Sequence, residues 1–195
     1  MAWIARNAYL GTADMQNNAT EFWNKMSALG VTKEAVAAML GNMQTESTIN
    51  PGIWEGLNPY VGGYGLVQWT PYTKYSEWAG SGWQNNGDKQ CERIIYEAAN
   101  NLQWFENPNA PIVNPPITLA EFLKSTLDVG TLANYFLWYY EHPAVTIQPN
   151  RATQAREWYD FLVGGVTPPQ PQPTTRTKIP VWMMCKPNSK RRRIY

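Results

Sequence analysis

The apolar positions of this chain recur at helical spacing in several separate stretches, so the pattern predicts a mainly helical protein. Phe22, Trp23, Met26 and Leu29 share one face of a helix expected over Ala19–Leu29, with Gly30 to end it. Thr32 is placed to N-cap a second helix, whose stripe is Val36, Met39, Leu40 and Met43. The Gly-, Pro- and Asn-rich stretch 48–70 breaks the rhythm and predicts a loop with a small hairpin around Tyr64–Trp69. Thr70-Pro71 is expected to open a short helix. Asp88 is expected to cap a longer one carrying Cys91, Ile94, Ile95, Ala98, Leu102 and Phe105. After a Pro/Asn loop at 107–117, Thr118 and Glu121 have capping-box spacing. Two further helices follow, over about Thr131–Glu141, stopping before Pro143, and over about Arg151–Leu162. The fold class expected is therefore mainly α, with about six to seven helices and one hairpin.

Composition narrows the picture. The chain has 195 residues, enough for one domain over 1–166, with a Pro/Gln/Thr-rich linker at 167–178 and a short basic tail at 179–195. That tail reads as a solvated end or as a docking peptide. A net charge of +1 gives no general attraction to nucleic acid. No window is long and apolar enough for a transmembrane helix, and the N-terminus lacks the apolar core of a secretion signal, so no membrane insertion is expected. Cys91 and Cys185 lack CxxC spacing; two free thiols or one long-range disulfide fit them. With His142 as the sole histidine, neither a Cys/His zinc site nor a Ser-His-Asp hydrolase can be assembled, and no metal or cofactor is expected. The 10 Trp and 11 Tyr suit sugar stacking, but large aromatics also serve as core.

Glu46 falls near the end of the second helix, at the edge of its apolar stripe. A carboxyl so placed is partly desolvated, which favours its protonated form, and a protonated carboxyl can act as general acid on a glycosidic oxygen. Taken alone, the same position also fits an ordinary surface or turn-capping glutamate.

Three ordered segments resemble one family. MLGNMQTESTINPGIWE (Met39–Glu55), GYGLVQWTPYTKY (Gly63–Tyr75) and FLWYYEHPA (Phe136–Ala144) are similar to phage tail lysozymes, the N-terminal domains of tail-tip proteins in phi29-type podoviruses. With the DKQCERIIYE helix, the resemblance extends over roughly Ala19–Leu162. It implies a lysozyme-like fold whose hairpin lines a cleft. It also implies peptidoglycan glycan strands as substrate, cut at the β-1,4 bond between N-acetylmuramic acid and N-acetylglucosamine, and a place in the phage tail.

The same resemblance implies that Glu46 is the acid, and that Ser47, Tyr64, Gln68, Trp69 and Tyr140 shape the cleft or contact sugar. Glu55, nine residues after Glu46, is the nearest candidate for a second carboxylate. Glu141 is another, unless it is a helix-end acid paired with Arg151 or Arg156. A lytic transglycosylase, needing one glutamate, fits the same motif, as does a binding module that grips glycan without cutting it. In the relatives a metallopeptidase domain follows; here about 30 residues follow the domain, and the basic tail is expected to dock other tail proteins instead.

Overall fold

The computed structural model describes residues 2–164. The expected linker and basic tail, with Cys185, lie outside the described residues. Among the described residues there are seven α-helices: α1 Thr12–Ala28, α2 Lys33–Ser47, α3 Thr73–Ala79, α4 Gly87–Ala99, α5 Leu119–Phe122, α6 Val129–Phe136 and α7 Pro149–Gly164. A π-helical turn, Leu137–Glu141, continues α6 directly. The class is mainly α, as the periodicity predicts, and none of the described helices is long and apolar enough to cross a membrane.

α2 is the centre of the molecule, packed against α6 and α7. Thr32 caps it as expected, its hydroxyl accepting from Ala35 N. The stripe expected on one face proves to be only part of the burial: Ala35, Ala37, Ala38 and Gly41 are covered as well. Small residues on those faces let neighbouring helices approach from every side. A Cβ added at Gly41 would lie 2.6 Å from both Ala155 N and Arg151 O, so α2 and α7 touch backbone to backbone there.

Several boundaries differ from the periodicity. α1 starts at Thr12, seven residues before the expected Ala19, because its first two turns are polar and carry no apolar repeat. One of those polar residues, the buried Asn18, holds the N-terminal segment by bonding both Ile4 N and Ile4 O. The cap of α4 is Asn86, which accepts from Lys89 N; Asp88 accepts instead from Trp3 Nε1. α4 also stops at Ala99, leaving Leu102 and Phe105 outside it and exposed. α3 begins two residues after Pro71, with Tyr72 as its N-cap. The Thr118/Glu121 capping box forms in full, over a helix of only four residues.

The expected hairpin is reduced to two isolated antiparallel bridges, Trp54 with Tyr64 and Tyr64 with Trp69; no longer strand forms among the described residues. The reason is the tight turn between the paired residues. Gly65 (φ 80°) and Gln68 (φ 51°) both sit in the left-handed region, which ends the ladder after one pair. Gln68 stabilises its own turn by donating from Nε2 to Gly65 O at 2.9 Å.

Candidate functional site

Glu46 lies in the last turn of α2, one residue before the helix ends. Thr48 (φ 53°) and Ile49 (φ 54°) then adopt left-handed backbone, and the chain turns sharply into Asn50-Pro51. Two consecutive non-glycine residues in that region are strained, at about 1–3 kcal/mol each. The surroundings hold them: Asn18 Nδ2 donates to Ile49 O at 2.8 Å, and Leu10 N donates to Thr48 Oγ1 at 2.8 Å. The site thus begins where a buried helix meets a constrained turn.

The Glu46 side chain is 24% exposed and forms an ion pair with Arg151, whose own side chain is 6% exposed. It is therefore not merely a carboxyl on an apolar edge; a buried guanidinium faces it. Arg151 sits in the first turn of α7 and is fixed by Gln148 Oε1 at 2.8 Å and by Asn42 O and Oδ1, each at 3.3 Å. Asn42, fully buried in α2, donates in turn to Ala38 O and Ala133 O. One polar thread thus crosses the bundle from α6 through α2 to α7 and ends at Glu46.

Ser47 is also fully buried. Its hydroxyl bonds Met43 O at 3.0 Å and Leu66 O at 2.8 Å, so it fastens the end of α2 to the hairpin turn. Gln90 of α4 fastens the other side, accepting from Leu66 N at 2.8 Å and donating to Pro51 O at 2.7 Å. Leu66 is thus clamped from two helices through its backbone.

The aromatic residues singled out for sugar contact face inward. Tyr64 and Tyr140 are each 1% exposed and Trp69 is 2% exposed. Their rings offer no open face; they pack against other rings, Tyr64 on Trp54, Trp69 on Tyr75 and Tyr140 on Phe136. Burial pushes the Tyr64 and Tyr140 hydroxyls above the usual phenol range. Trp69 Nε1 and Arg93 Nε both donate to Glu97 Oε1, at 3.0 and 2.8 Å, while the Tyr140 hydroxyl donates to Glu97 Oε2. This buried carboxylate, absent from the sequence reading, joins α4, the hairpin and the π turn. Of the residues expected to bind sugar, Gln68 alone is partly exposed, and Ser47 turns its hydroxyl inward.

The two second-carboxylate candidates differ. Glu55 is exposed, in a short 3-10 turn (Glu55–Leu57), and its Oε2 accepts from Gly63 N at 2.7 Å. Glu141, at the end of the π turn, has Oε1 shut off from solvent with no hydrogen-bond partner among the described residues. Burial, then the negative charge of Glu46, hold its carboxyl well above the usual carboxylate range, against the opposing pull of Arg151. Arg151 pairs with Glu46 and Arg156 with Asp128, so neither is the helix-end ion-pair partner expected for Glu141. His142 closes the π turn in a left-handed conformation (φ 51°), its ring against Phe105 O. Cys91 is a buried free thiol, pushed up by burial. No three His, Cys, Asp or Glu side chains gather as a metal-binding group among the described residues.

A glutamate thus ends the central helix of a helical domain, one residue before the serine that fastens that helix to the hairpin turn. The family model "Phage tail lysozyme" matches residues 17–162, and the chain belongs to that family. The chain is also 46% identical over 169 residues to "Morphogenesis protein 1" of Bacillus phage B103. That match covers 82% of this chain but 43% of the relative, so the chain spans less than half the length of that protein.

Proposed function

We propose that this domain is a muramidase of the phage tail that cuts the β-1,4 bond between N-acetylmuramic acid and N-acetylglucosamine in peptidoglycan, with Glu46 as general acid. The observation that carries the reading is the position of Glu46. It is the carboxylate at the C-terminal end of the central helix, backed by a buried cation yet partly open to solvent, one residue before the serine that fastens that helix to the hairpin turn. The membership in the phage tail lysozyme family supports peptidoglycan as substrate, and the morphogenesis protein of a Bacillus phage supports a place in the virion tail, acting outside the host cell.

In this reading Glu46 protonates the glycosidic oxygen, and Glu55 is the loop carboxylate available to steer water. Gln68, partly exposed at the turn, is the polar side chain this reading assigns to sugar contact. The 179–195 tail is assigned to docking on other tail proteins.

The test is clearance of Gram-positive cell walls by the purified chain, with Glu46→Gln beside it. Removing a general acid is expected to lower the rate by about 10²–10⁴-fold. Equal clearance by the variant would remove Glu46 from the mechanism, and no clearance by the wild type would leave a glycan-gripping module. Mass spectrometry of the fragments identifies the chemistry: a reducing muramic acid end marks hydrolysis, and a 1,6-anhydro end marks transglycosylation.

A further inference from the structure

The guanidinium that faces Glu46 is held more firmly than a counter-ion needs to be. Arg151 Nε donates to Gln148 Oε1 at 2.8 Å, Nη1 to Asn42 O and Oδ1 at 3.3 Å each, and Nη2 to Glu46 Oε1 at 2.5 Å. A planar group bonded through all three of its nitrogens has little freedom to rotate. Its supports are fixed in turn. Asn42 Nδ2 donates to Ala38 O and Ala133 O, which leaves Oδ1 to turn toward Arg151. The backbone of Arg151 is pressed onto α2, its carbonyl oxygen 2.6 Å from where a Cβ on Gly41 would lie. The bond to Glu46 is also one-sided. Arg151 takes Oε1, and Oε2 accepts no hydrogen bond among the described residues. A forked arginine–carboxylate pair would occupy both oxygens. This one leaves an oxygen open, on a side chain that is itself partly open to solvent.

We propose that Arg151 is a positioning residue that pins Glu46 by Oε1, so that Oε2 is the oxygen that hands the proton to the glycosidic oxygen; this rests on the reading of Glu46 as the acid. The pin is compatible with both states of that acid. A protonated carboxyl carries its hydrogen on one oxygen and keeps the other as an acceptor, so Arg151 can hold Oε1 before and after the transfer. In the step itself the Oε2–H bond breaks and the proton bonds the glycosidic oxygen. The bond from that oxygen to the sugar carbon breaks toward the oxygen, and the electron pair left on Glu46 makes a carboxylate. That new charge appears beside a cation already in place, with no solvent to reorganise. Without the pin, a partly exposed glutamate at a helix end would sample several rotamers. A reacting oxygen held out of line slows the chemical step more than it weakens binding.

The test separates rate from binding, using the intact chain on soluble, uncross-linked peptidoglycan glycan strands. Arg151→Lys keeps the charge and loses the fork, and is expected to lower kcat by about 10²-fold with KM little changed. Gln148→Ala removes one support of the fork and leaves Asn42 and Glu46 in place; a smaller fall, again in kcat, is expected. In Arg151→Ala, added guanidinium ion at concentrations that leave the chain folded is expected to restore part of the rate, and equal sodium chloride to restore none. In a Glu46→Gln background, Arg151→Lys is expected to cost no further rate, because the two residues act as a unit. Wild-type kcat in Arg151→Lys, or a loss by the same factor with and without the Glu46 carboxyl, overturns the proposal. If Glu46→Gln itself keeps the wild-type rate, the reading of Glu46 as acid fails; a slow Glu46→Gln beside a fast Arg151→Lys removes the positioning role alone. A crystal structure of Glu46→Gln with a bound strand reads the geometry directly. The amide oxygen is expected against Arg151 and the amide nitrogen at the glycosidic oxygen; a side chain swung away from Arg151 overturns the pin. Near-ultraviolet circular dichroism of each variant guards against misfolding.

Discussion

In the bundle of α2, α6 and α7 the interior is Val36, Met39, Leu40, Leu132, Ala133, Phe136 and Ala155, all fully buried. In the lobe between Thr48 and Asn86 the turns are instead held by polar side chains on backbone: Asn50 on Arg6 and Ala8, Asn7 on Trp54, Gln68 on Gly65, and Gln90 on Leu66 and Pro51. Aromatic rings fill the space between those turns, with Trp54 at 4.6 Å from Tyr64 and Trp69 at 5.0 Å from Tyr75. The bundle is stabilised by apolar area and close helix contact, which are non-directional. The lobe depends on individual hydrogen bonds, which are directional. A chain that must hold a hairpin turn against its central helix needs the second kind of support, since apolar packing alone does not fix a backbone carbonyl's direction.

The contrast can be broken from either side. Phe136→Ala, in the bundle and stacked 4.3 Å from Tyr140, is expected to cost about 3–5 kcal/mol in denaturant unfolding, lowering the whole transition. Gln90→Ala, under the lobe, leaves the buried Leu66 N–H unpaired and is expected to cost about 1–3 kcal/mol. Its signature differs: amide exchange is expected to rise at Leu66 and its neighbours before the bundle responds. Uniform loss of protection would mean that lobe and bundle open as one unit. Thr32→Ala, removing the cap of α2, is expected to cost about 1 kcal/mol. Lys25→Ala, which breaks an exposed pair with Glu92, is expected to change stability by less than about 1 kcal/mol.

A pH dependence sharpens the same contrast. Glu141 ends the π turn that continues α6, and its folded-state affinity for a proton exceeds that of the unfolded chain. Its contribution to stability is therefore complete below the ordinary carboxylate range and is lost as pH rises toward its raised folded value. Glu141→Gln is expected to flatten the alkaline side of the stability curve. Parallel curves for the two proteins would show that Glu141 titrates alike folded and unfolded.

What the sequence made legible follows the same division. The Thr32 cap, the Thr118/Glu121 box and the stop before Pro143 are local signals, carried by residues a few positions apart, and all three appear in the structure. α1 was read short because Thr12–Asn18 is polar, its one buried member facing another segment rather than the core. Asp88 and Asn86 are equally good caps by type, and only the position of Trp3 separates them. Glu46 was legible through its motif. Arg151, 105 residues away, and Glu97, whose partners lie on two other segments, were not, because a contact over that distance leaves no periodic trace. Tyr64, Trp69 and Tyr140 were found by type, but residue type does not say whether a ring faces solvent or core.

The π turn after α6 works as a phase shifter. An α-helix advances about 100° per residue, so one residue more or fewer in a turn rotates everything beyond it by about that angle. With five residues in Leu137–Glu141, Tyr140 points to Glu97 while Glu141 comes under the charges of Arg151 and Glu46. Inserting one residue into 137–139 would rotate both side chains by about 100° and carry them out of register together. The length of this turn is then what lets two adjacent side chains, Tyr140 and Glu141, come under different polar neighbours.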